Sequence, residues 1–333
     1  MNTITLSHGS GGKASNELIK NLFFKYFSNE ILNTAMDSGV FNLRDGFFAF
    51  TTDSFVVKPL FFNGGDIGKL AVCGTVNDLA VSGASPKYLT CAFIIEEGFS
   101  LDELEAIVKS MAYWADKAGV KIISGDTKVV GKGESDGVFI NTSGIGEIIK
   151  GVSLGIDKIN IGDKVIVTGT MGDHGFSILS KRKGLTFETT LASDSAPLNK
   201  MLENVLKNVK GVKFMRDPTR GGLASTLNEV VTDKSGILIK EEKIPISDSV
   251  RGISELLGMD PLYMANEGKA VIIASSDTAP KIVELLRENE YGKNACIVGE
   301  VTANYKNKVC IETIIGTVRI LDMPQGEIVP RIC

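Results

Sequence analysis

Short runs of β-branched and aromatic residues, separated by polar segments, mark the first half of the chain. Such runs predict strands at 47–52, 87–95, 120–123 and 137–147. Between the second and third runs the apolar positions change to helical spacing and fall on one face: Leu101, Leu104, Val108, Met111, Ala115 and Ala118. Ser100 and Glu103 form a capping-box signature before this helix, and Gly119 is typical of the residue that ends one.

The second half of the chain contains both kinds of element in mixed order. The same patterns predict strands at 164–168, 236–242, 269–275, 295–302 and 308–321. Helices are predicted at 175–183, 197–209, 221–232, 249–257 and 279–289. A turn-like segment at 160–163 precedes this set. The chain is therefore predicted to have an α+β fold in two parts, with a boundary near residue 150.

The composition excludes several classes of protein. Its 333 residues are enough for two domains, and 36 basic against 40 acidic residues give a net charge of −4 without a block of like charges. Binding to nucleic acid or to a membrane surface is not expected. No leader-like segment and no long apolar stretch are found, so we expect a cytoplasmic protein.

The cysteines direct attention to the last residue. The chain has five cysteines and no C-x-x-C pair, and four of them lie in apolar contexts where a small buried side chain is expected. Cys333 instead follows a segment without periodic pattern, in which Pro324, Gly326 and Pro330 predict an extended, hinged tail. Such a tail would reach roughly 35 Å. By itself the tail allows two interpretations, a thiol that carries a group between sites and an exposed thiol on a frayed end.

A glycine-rich segment near the start of the chain is a candidate phosphate site. It comprises Gly9, Ser10, Gly11, Gly12 and Lys13, and it leads into a predicted helix at 14–24. Backbone amides, a helix N-terminus and a lysine suit an anion. The spacing matches neither the P-loop nor the Rossmann pattern, so a flexible turn is the alternative.

Three aspartates are candidates for a magnesium site. Asp53 and Asp126 are expected at strand ends, and Asp78 lies beside Asn77 in the segment 70–81. Mg²⁺ prefers one or two carboxylates together with phosphates and water. Aspartates also end strands or cap helices for local reasons. Their occurrence together with Lys128 and the glycine-rich segment favours a site for Mg²⁺ and a nucleotide.

Further candidates lie in the second half. Arg220, before Gly221 and Gly222, is suited to neutralising a transferred phosphoryl group, although a tight structural turn is an equal alternative. Glu267 lies just before a predicted strand and is a candidate base, or else a solvated loop residue. His174 is interpreted as a helix-start residue rather than a catalytic group.

Taken together, seven motifs resemble those of one known family. They lie at 7–13, 52–54, 74–80, 125–129, 217–223, 266–269 and 330–333. They are similar to the HypE family, the carbamoyl dehydratases of nickel-iron hydrogenase maturation within the aminoimidazole ribonucleotide synthetase (PurM-like) superfamily. The resemblance runs over the whole chain, and the closing Pro-Arg-Ile-Cys is the element that selects this family within the superfamily.

The resemblance implies a fold and a division into domains. It implies an N-terminal ATP-binding and dimerisation domain over 1–150, whose sheet joins that of a second subunit in a barrel-like homodimer. A C-terminal α/β sandwich domain over 151–321 and a mobile tail over 322–333, ending in the acceptor cysteine, complete the chain.

The resemblance also implies an activity. Cys333 would receive a carbamoyl group from the carbamoyltransferase HypF, and ATP would be used to dehydrate it to a thiocyanate. The cyano group would pass to iron held by HypC and HypD, as a cyanide ligand of the hydrogenase. Matching motifs would place Gly9 to Lys13 over the phosphates, and Asp53, Asn77, Asp78 and Asp126 around Mg²⁺.

The expected chemistry assigns a role to the remaining candidates. A carbamoyl oxygen leaves only after conversion to a phosphate ester, and Lys13, Lys128 and Arg220 would offset the charge of the phosphoryl group. Glu267 is the expected base, with Asp126 and Lys128 as alternatives. Two other functions remain open: another PurM-like synthetase or kinase such as a selenophosphate synthetase, and a non-enzymatic scaffold with a terminal thiol. The first is disfavoured because no cysteine lies near the glycine-rich segment.

Overall fold

The computed structural model describes residues 3–5, 17–29, 33, 47–182, 191–323, 329 and 331–333. The strands in this part of the chain are β1 Phe48–Phe55, β2 Phe61–Phe62, β3 Gly65–Asp66, β4 Ala84–Glu96, β5 Lys121–Val130, β6 Val138–Ile148, β7 Lys164–Val167, β8 Val212–Arg216, β9 Gly236–Lys240, β10 Val271–Ala274, β11 Cys296–Thr302, β12 Val309–Glu312 and β13 Val318–Ile320. The α-helices are α1 Phe24–Phe27, α2 Ile67–Val81, α3 Leu101–Ala118, α4 Asp173–Lys181, α5 Asn199–Asn208, α6 Gly222–Asn228, α7 Asp248–Leu257 and α8 Ala279–Arg287. No helix among the described residues is long and apolar enough to cross a membrane.

The first half forms a four-stranded sheet in the order β1-β6-β4-β5. The β4–β5 pair is parallel and the other pairs are antiparallel. Along β6, Ile140, Thr142 and Gly144 are buried, while Asn141 and Ser143 alternate with them and are partly exposed. This alternation gives the sheet two faces. We call the face packed against α2 and α3 the closed face, and the opposite one the open face.

The second half forms a seven-stranded sheet in the order β13-β12-β9-β11-β7-β10-β8. Both of its faces are covered. Val165 and Val167 of β7 pack in a cluster with Leu223 and Leu227 of α6, whereas Ile166 between them packs in a cluster with residues of α5 and α8. A strand segment buried on both sides is expected to be apolar throughout, as β7 is from Val165 to Val167.

Most predicted elements are confirmed, with some corrections. The single strand predicted at 308–321 is two strands, β12 and β13, because Thr313 and Thr317 close a turn in which Gly316 has a φ of +80°. Four elements were not predicted, the short strands β2 and β3, the strand β8 and the helix α2. Every residue of α2 except Asp78 is buried, so its sequence has no polar stripe from which helical periodicity could be recognised.

The closing residues of the chain are docked against β1 and the segment that follows it. The main-chain N–H groups of Val56 and Lys58 donate to the main-chain oxygens of Cys333 and Arg331, at 3.1 and 3.2 Å. Ile332 is buried. The expectation of an extended tail is wrong at Arg331, whose φ is +51°. Movement of the tail, and the division of the chain at residues 150 and 321, remain predictions.

Candidate active site

Four carboxylates from both halves of the chain lie close enough together to affect one another electrostatically. Asp53 lies on β1, Asp78 on α2, Asp217 directly after β8, and Glu267 before β10. Burial raises the pKa of each of them, and the neighbouring negative charges raise the pKa of Asp53, Asp217 and Glu267 further. Such mutual perturbation is typical of functional sites.

Asp53 and Asp78 are held between the closed face and α2. Asp53 is inside β1 rather than at its end as predicted, and it is paired with Thr142 of β6. The hydroxyl of Thr51 donates to Asp78 at 2.8 Å. A Cβ at Gly74 would lie 2.8 Å from Cζ of Phe55, so glycine is needed where α2 passes over β1 at this point.

Asp217 and Arg220 lie on the turn between β8 and α6. Burial and then the charges of Asp78 and Asp53 raise the pKa of Asp217 to about 7. The positive charge of Arg220 acts in the opposite direction on Asp53 and Cys333. Gly222 has a φ of +58°, and a Cβ there would lie 2.5 Å from the carbonyl oxygen of Met264. The paired glycines are thus explained by the turn itself. Arg220 lowers the pKa of Asp53, whereas Arg216, directly before the turn, lowers the pKa of Asp78 and Asp217.

Glu267 is buried, so the alternative of a solvated loop residue is wrong. Its Oε1 has no hydrogen-bond partner among the described residues. Its N–H donates to Asp194 at 3.1 Å. The next residue, Gly268, must be glycine because a Cβ would lie 1.8 Å from the carbonyl oxygen of Asp194. Burial, followed by the charges of Asp217 and Asp194, raises the pKa of Glu267 well above its usual value.

The thiol of Cys333 belongs to the same cluster. Burial and then the negative charge of Glu267 raise its pKa, while Arg220 lowers it in part. The docked thiol is therefore protonated at neutral pH and is a poor nucleophile in this position. The partly buried last residue of the chain and the buried expected base thus lie in one site.

Asn77 has a different position from the one expected of a ligand. It is buried, its amide N–H groups donate to the carbonyls of Ala196 and Glu267 at 3.0 and 3.2 Å, and its oxygen accepts from Leu198 N–H at 2.8 Å. These bonds connect α2 to two loops of the second half. In this arrangement Asn77 positions Glu267 and does not face a ligand.

Asp126 and Lys128 are not part of this cluster within one chain. Both lie inside β5. Asp126 is opposite Ala92 of β4, and Ala92 is opposite Asn141 of β6, so Asp126 lies with Asn141 on the open face. They are exposed and form an ion pair of 2.8 Å. The hydrogen bond from Lys128 lowers the pKa of Asp126. The expectation that Asp126 follows a strand end beside Asp53 is wrong, because the two side chains lie on opposite faces of the sheet.

The metal-site prediction is affected by this separation. Among the described residues, no group of three or more histidine, cysteine or acidic side chains is arranged so that it could hold a metal ion. Asp53 and Asp78 remain together on the closed side, where Asp217 joins them. The glycine-rich candidates Gly9, Ser10, Gly11, Gly12 and Lys13 lie outside the described residues.

Three polar residues at the site were given no role in it from the sequence. Asp194 accepts from the N–H groups of Glu267 and Gly268 and forms an ion pair with Lys269 at 3.2 Å. Asn266 accepts from Gly172 N–H at 2.7 Å. His174, interpreted above as a helix-start residue, contacts the tail. Only the fold identifies them, because their partners are distant in sequence.

Comparison with known proteins assigns the class and then the family. The family model described as "AIR synthase related protein, N-terminal domain" matches residues 35–148, and "AIR synthase related protein, C-terminal domain" matches residues 160–311. The two-part fold is therefore that of an AIR synthase related protein. The carbamoyl dehydratase HypE of Bradyrhizobium diazoefficiens is 47% identical over 332 residues, covering 99% of this chain and 96% of the relative. This chain belongs to the HypE family, and the resemblance stated from the motifs is confirmed.

Solved structures agree with this assignment. A structure described as hydrogenase maturation protein HypE in complex with ATP has a TM-score of 0.95 and 46% identity. The match covers 99% of this chain and 100% of the chain in that structure. A structure of a HypE–HypF complex has a TM-score of 0.81 and 50% identity, covering 92% of this chain and 99% of its own. The predicted PurM-like fold is confirmed.

Proposed function

We propose that this protein is an ATP-dependent carbamoyl dehydratase in which Cys333 carries the substrate. The observation that supports this most directly is the position of Cys333, whose thiol lies within the electrostatic reach of Glu267, Arg220 and Asp217. A group attached to that sulfur would be presented to a buried acid–base residue, Glu267, and to the exposed cation of Arg220. Relatives named carbamoyl dehydratase HypE, and the ATP-bound structure, support the choice of reaction and of nucleotide.

The reaction converts the S-carbamoyl group, S–C(=O)–NH₂, into the thiocyanate S–C≡N. The carbamoyl oxygen attacks the γ-phosphorus of ATP and ADP leaves, after which two nitrogen protons are lost and the C–O bond breaks to release phosphate. Arg220 stabilises the charge on the transferred phosphoryl group. Glu267 accepts a proton from the nitrogen. Closure of the site around the docked tail excludes water, to which the phosphorylated intermediate would otherwise be lost.

Magnesium would be held on the closed side by one or two carboxylates together with the phosphates of ATP, since the described residues form no three-ligand metal site. Asp53, Asp78 and Asp217 offer oxygen ligands there, and their mutual effects on pKa indicate negative charge that a cation would neutralise. Bound Mg²⁺ would supply charge neutralisation at the phosphates. Because Asp217, Asp53 and Asp78 are among the groups that raise the pKa of Glu267, their neutralisation would also leave Glu267 a more available base.

A homodimer formed through the open face is part of this proposal. The open face has exposed apolar side chains, among them Phe50 and Ile94, which are 72% and 44% exposed. A second copy seated on this face would bury them. Asp126 and Lys128 lie on the same face, so they would contribute to the partner's site rather than to their own.

The partners and the compartment follow from the family. HypF is proposed as the carbamoyl donor, supported by the HypE–HypF complex, and HypC and HypD as the proteins whose iron receives the cyano group. Because the docked thiol is protonated, loading is proposed to take place with the tail undocked. We propose a cytoplasmic location, where ATP is available.

Intact-mass measurement tests the proposal. The protein is first incubated with HypF and its carbamoyl donor, and then with Mg²⁺ and ATP. We expect a carbamoyl adduct on the peptide that ends in Cys333, followed by the loss of one water only when ATP is present. Cys333→Ala should take up no adduct, whereas the matched variant Cys296→Ala, at another partly buried cysteine, should react normally. Loss of water without ATP, or an adduct on Cys333→Ala, would contradict the proposal, and an adduct that is never dehydrated would favour the scaffold alternative.

A further inference from the structure

His174 connects the docked tail to the second half of the chain. It lies in the first turn of α4 and is fully buried. Its two ring nitrogens each have one partner at 2.8 Å, the carbonyl oxygen of Ile332 for Nε2 and the hydroxyl of Ser193 for Nδ1. Its ring also contacts Phe62 edge to face. A buried histidine with both nitrogens engaged has a fixed orientation.

The partners determine which nitrogen carries the proton. A carbonyl oxygen only accepts, so Nε2 carries the hydrogen and donates to Ile332. Nδ1 then accepts from the hydroxyl of Ser193, whose oxygen in turn accepts from Ser195 N–H at 3.1 Å. Burial lowers the pKa of His174, and the charges nearest to it, Asp194 and Lys69, act in opposite directions. With a neutral ring, each of these hydrogen-bond donors and acceptors therefore has a partner.

The same loop that orients His174 also holds the expected base. Ser193 is followed directly by Asp194, whose carboxylate accepts from the N–H groups of Glu267 and Gly268 at 3.1 and 3.3 Å. Hydrogen bonds therefore connect the carbonyl before Cys333 with the backbone of Glu267, through His174 and the loop 193–195. The reacting sulfur and its base are held by one rigid set of contacts.

We propose that His174 is a positioning residue that fixes the carbonyl of Ile332 and thereby places the sulfur of Cys333 against Glu267. The neighbouring main-chain oxygens have other donors, Arg182 at 2.9 Å for Arg331 and Val56 N–H at 3.1 Å for Cys333. Loss of His174 therefore leaves the tail tethered but with one buried carbonyl unpaired, which favours undocking. The effect on docking stands by itself, and the effect on catalysis rests on the function proposed above.

Alkylation of Cys333 measures docking without ATP or a carbamoyl donor. Docking leaves Cys333 partly buried and raises the pKa of its thiol, so iodoacetamide labels the docked thiol slowly and the labelling rate rises with the undocked fraction. We compare His174→Leu, which removes both hydrogen bonds, with His174→Gln, whose amide retains a donor near the position of Nε2. The labelled peptide is identified by mass so that the other cysteines do not interfere. We expect labelling of Cys333 to be roughly tenfold faster or more in His174→Leu and close to the wild-type rate in His174→Gln.

Ser180→Ala is the matched control. Ser180 is partly buried on the same helix, and its hydroxyl donates to the carbonyl of Ser177 at 2.8 Å, away from the tail and from Ser193. It should lower stability without changing the labelling of Cys333. If His174→Leu does not fold, Ser193→Ala is the second variant. It removes the hydrogen-bond partner of Nδ1 but keeps the imidazole ring, and it should accelerate the labelling of Cys333 by a smaller factor. If folded His174→Leu labels Cys333 at the wild-type rate, the proposal is overturned. If His174→Leu does not fold, a wild-type labelling rate in Ser193→Ala overturns it.

A second measurement separates positioning from a general structural effect. With HypF, its carbamoyl donor and Mg²⁺·ATP present, His174→Leu should accept the carbamoyl group at least as fast as the wild type, and it should lose water more slowly per loaded chain. Equal slowing of both steps would indicate damage to the fold and contradict a positioning role. Should no chain dehydrate, the proposed function fails while the labelling result still decides the role of His174 in docking.

Discussion

The two faces of the four-stranded sheet are built from the same strands but have opposite surroundings. On the closed face, Asp53 is packed under α2 beside other carboxylates, and its pKa is raised. On the open face, Asp126 is exposed and paired with Lys128, and its pKa is lowered. The comparison shows that an aspartate in a matching motif acquires its chemical properties from the face on which it lies. Four predictions test this comparison, from the largest expected effect to the smallest.

The largest effect is expected for Glu267→Gln, which removes the base from the closed side. The amide has nearly the same shape, and burial with the neighbouring negative charges raises the pKa of Glu267 and so disfavours its ionised form, so the protein should fold with little change in stability. Dehydration should slow by a factor on the order of 10² to 10⁴, whereas carbamoyl loading should be unchanged. The measurement is water loss by intact mass after loading. A variant that dehydrates at the wild-type rate would show that another residue is the base.

Mixing Asp53→Asn with Asp126→Asn tests whether the two faces serve different subunits. Each variant alone should be nearly inactive in dehydration. If Asp126 acts in the partner's site, a mixed dimer has one site with both changes and one intact site. Since half of the dimers are mixed after random assembly, about a quarter of the wild-type activity should return.

The control for this mixture is Asp53→Asn with Glu267→Gln. Both residues belong to the closed side of one chain, so no mixed dimer would have an intact site, and activity should not return. Absence of recovery with Asp126→Asn as well would mean that Asp126 does not act across the interface.

The pH dependence of stability should differ between the two faces. The pKa of Asp217 is about 7 in the folded protein, above the value near 4 of an unfolded chain, so the folded state binds more protons between these values. Stability therefore falls as pH rises from about 4 to about 7 and is level above that range. Asp217→Asn should remove this fall, which amounts to roughly 2–4 kcal/mol in the free energy of unfolding. The measurement is urea titration at several pH values.

Asp126→Asn is the matched variant on the open face. Because the pKa of Asp126 is lowered, its carboxylate adds stability above about pH 4 that is lost as pH falls. The change should be small, since the ion pair is exposed. A curve for Asp217→Asn that runs parallel to the wild type would show that this carboxyl is not perturbed.

The smallest effect is expected from the helix that covers the closed face. The hydroxyl of Ser100 accepts from Glu103 N–H at 3.4 Å and caps α3. Ser100→Ala should lower the free energy of unfolding by about 1 kcal/mol and leave dehydration unchanged, because the helix supports the sheet without touching the site. Ser276→Ala, at an exposed position, should change neither quantity. A change in catalytic rate in Ser100→Ala would connect α3 to the site.

Local signals predicted the elements that have a polar side. The helix α3 begins after Ser100 and ends before Gly119 as predicted, because capping and a one-sided apolar stripe are properties of neighbouring residues. The helix α2 has no such stripe because it is buried nearly all round. The turn that divides 308–321 was missed because both of its flanks are rich in β-branched residues.

The sequence predicted several residues of the candidate site but not how they are arranged. Asp53, Asp78, Arg220, Glu267 and Cys333 were chosen from motifs, and the fold brings them together. His174 and Asp194 were missed because their importance comes from partners far away in the chain, Ile332 and Glu267. No local pattern records such a contact.

The sequence alone determined the kinds of residue present, the strands and helices with a clear period, and the family to which the motifs belong. Only the tertiary structure decided which aspartate is buried and which is exposed, and that the tail is docked on a histidine. The physical reason is the separation along the chain over which each kind of interaction acts. Periodicity and capping act between residues a few positions apart, whereas burial and the charge of a neighbouring carboxylate depend on which distant segments the folded chain brings into contact.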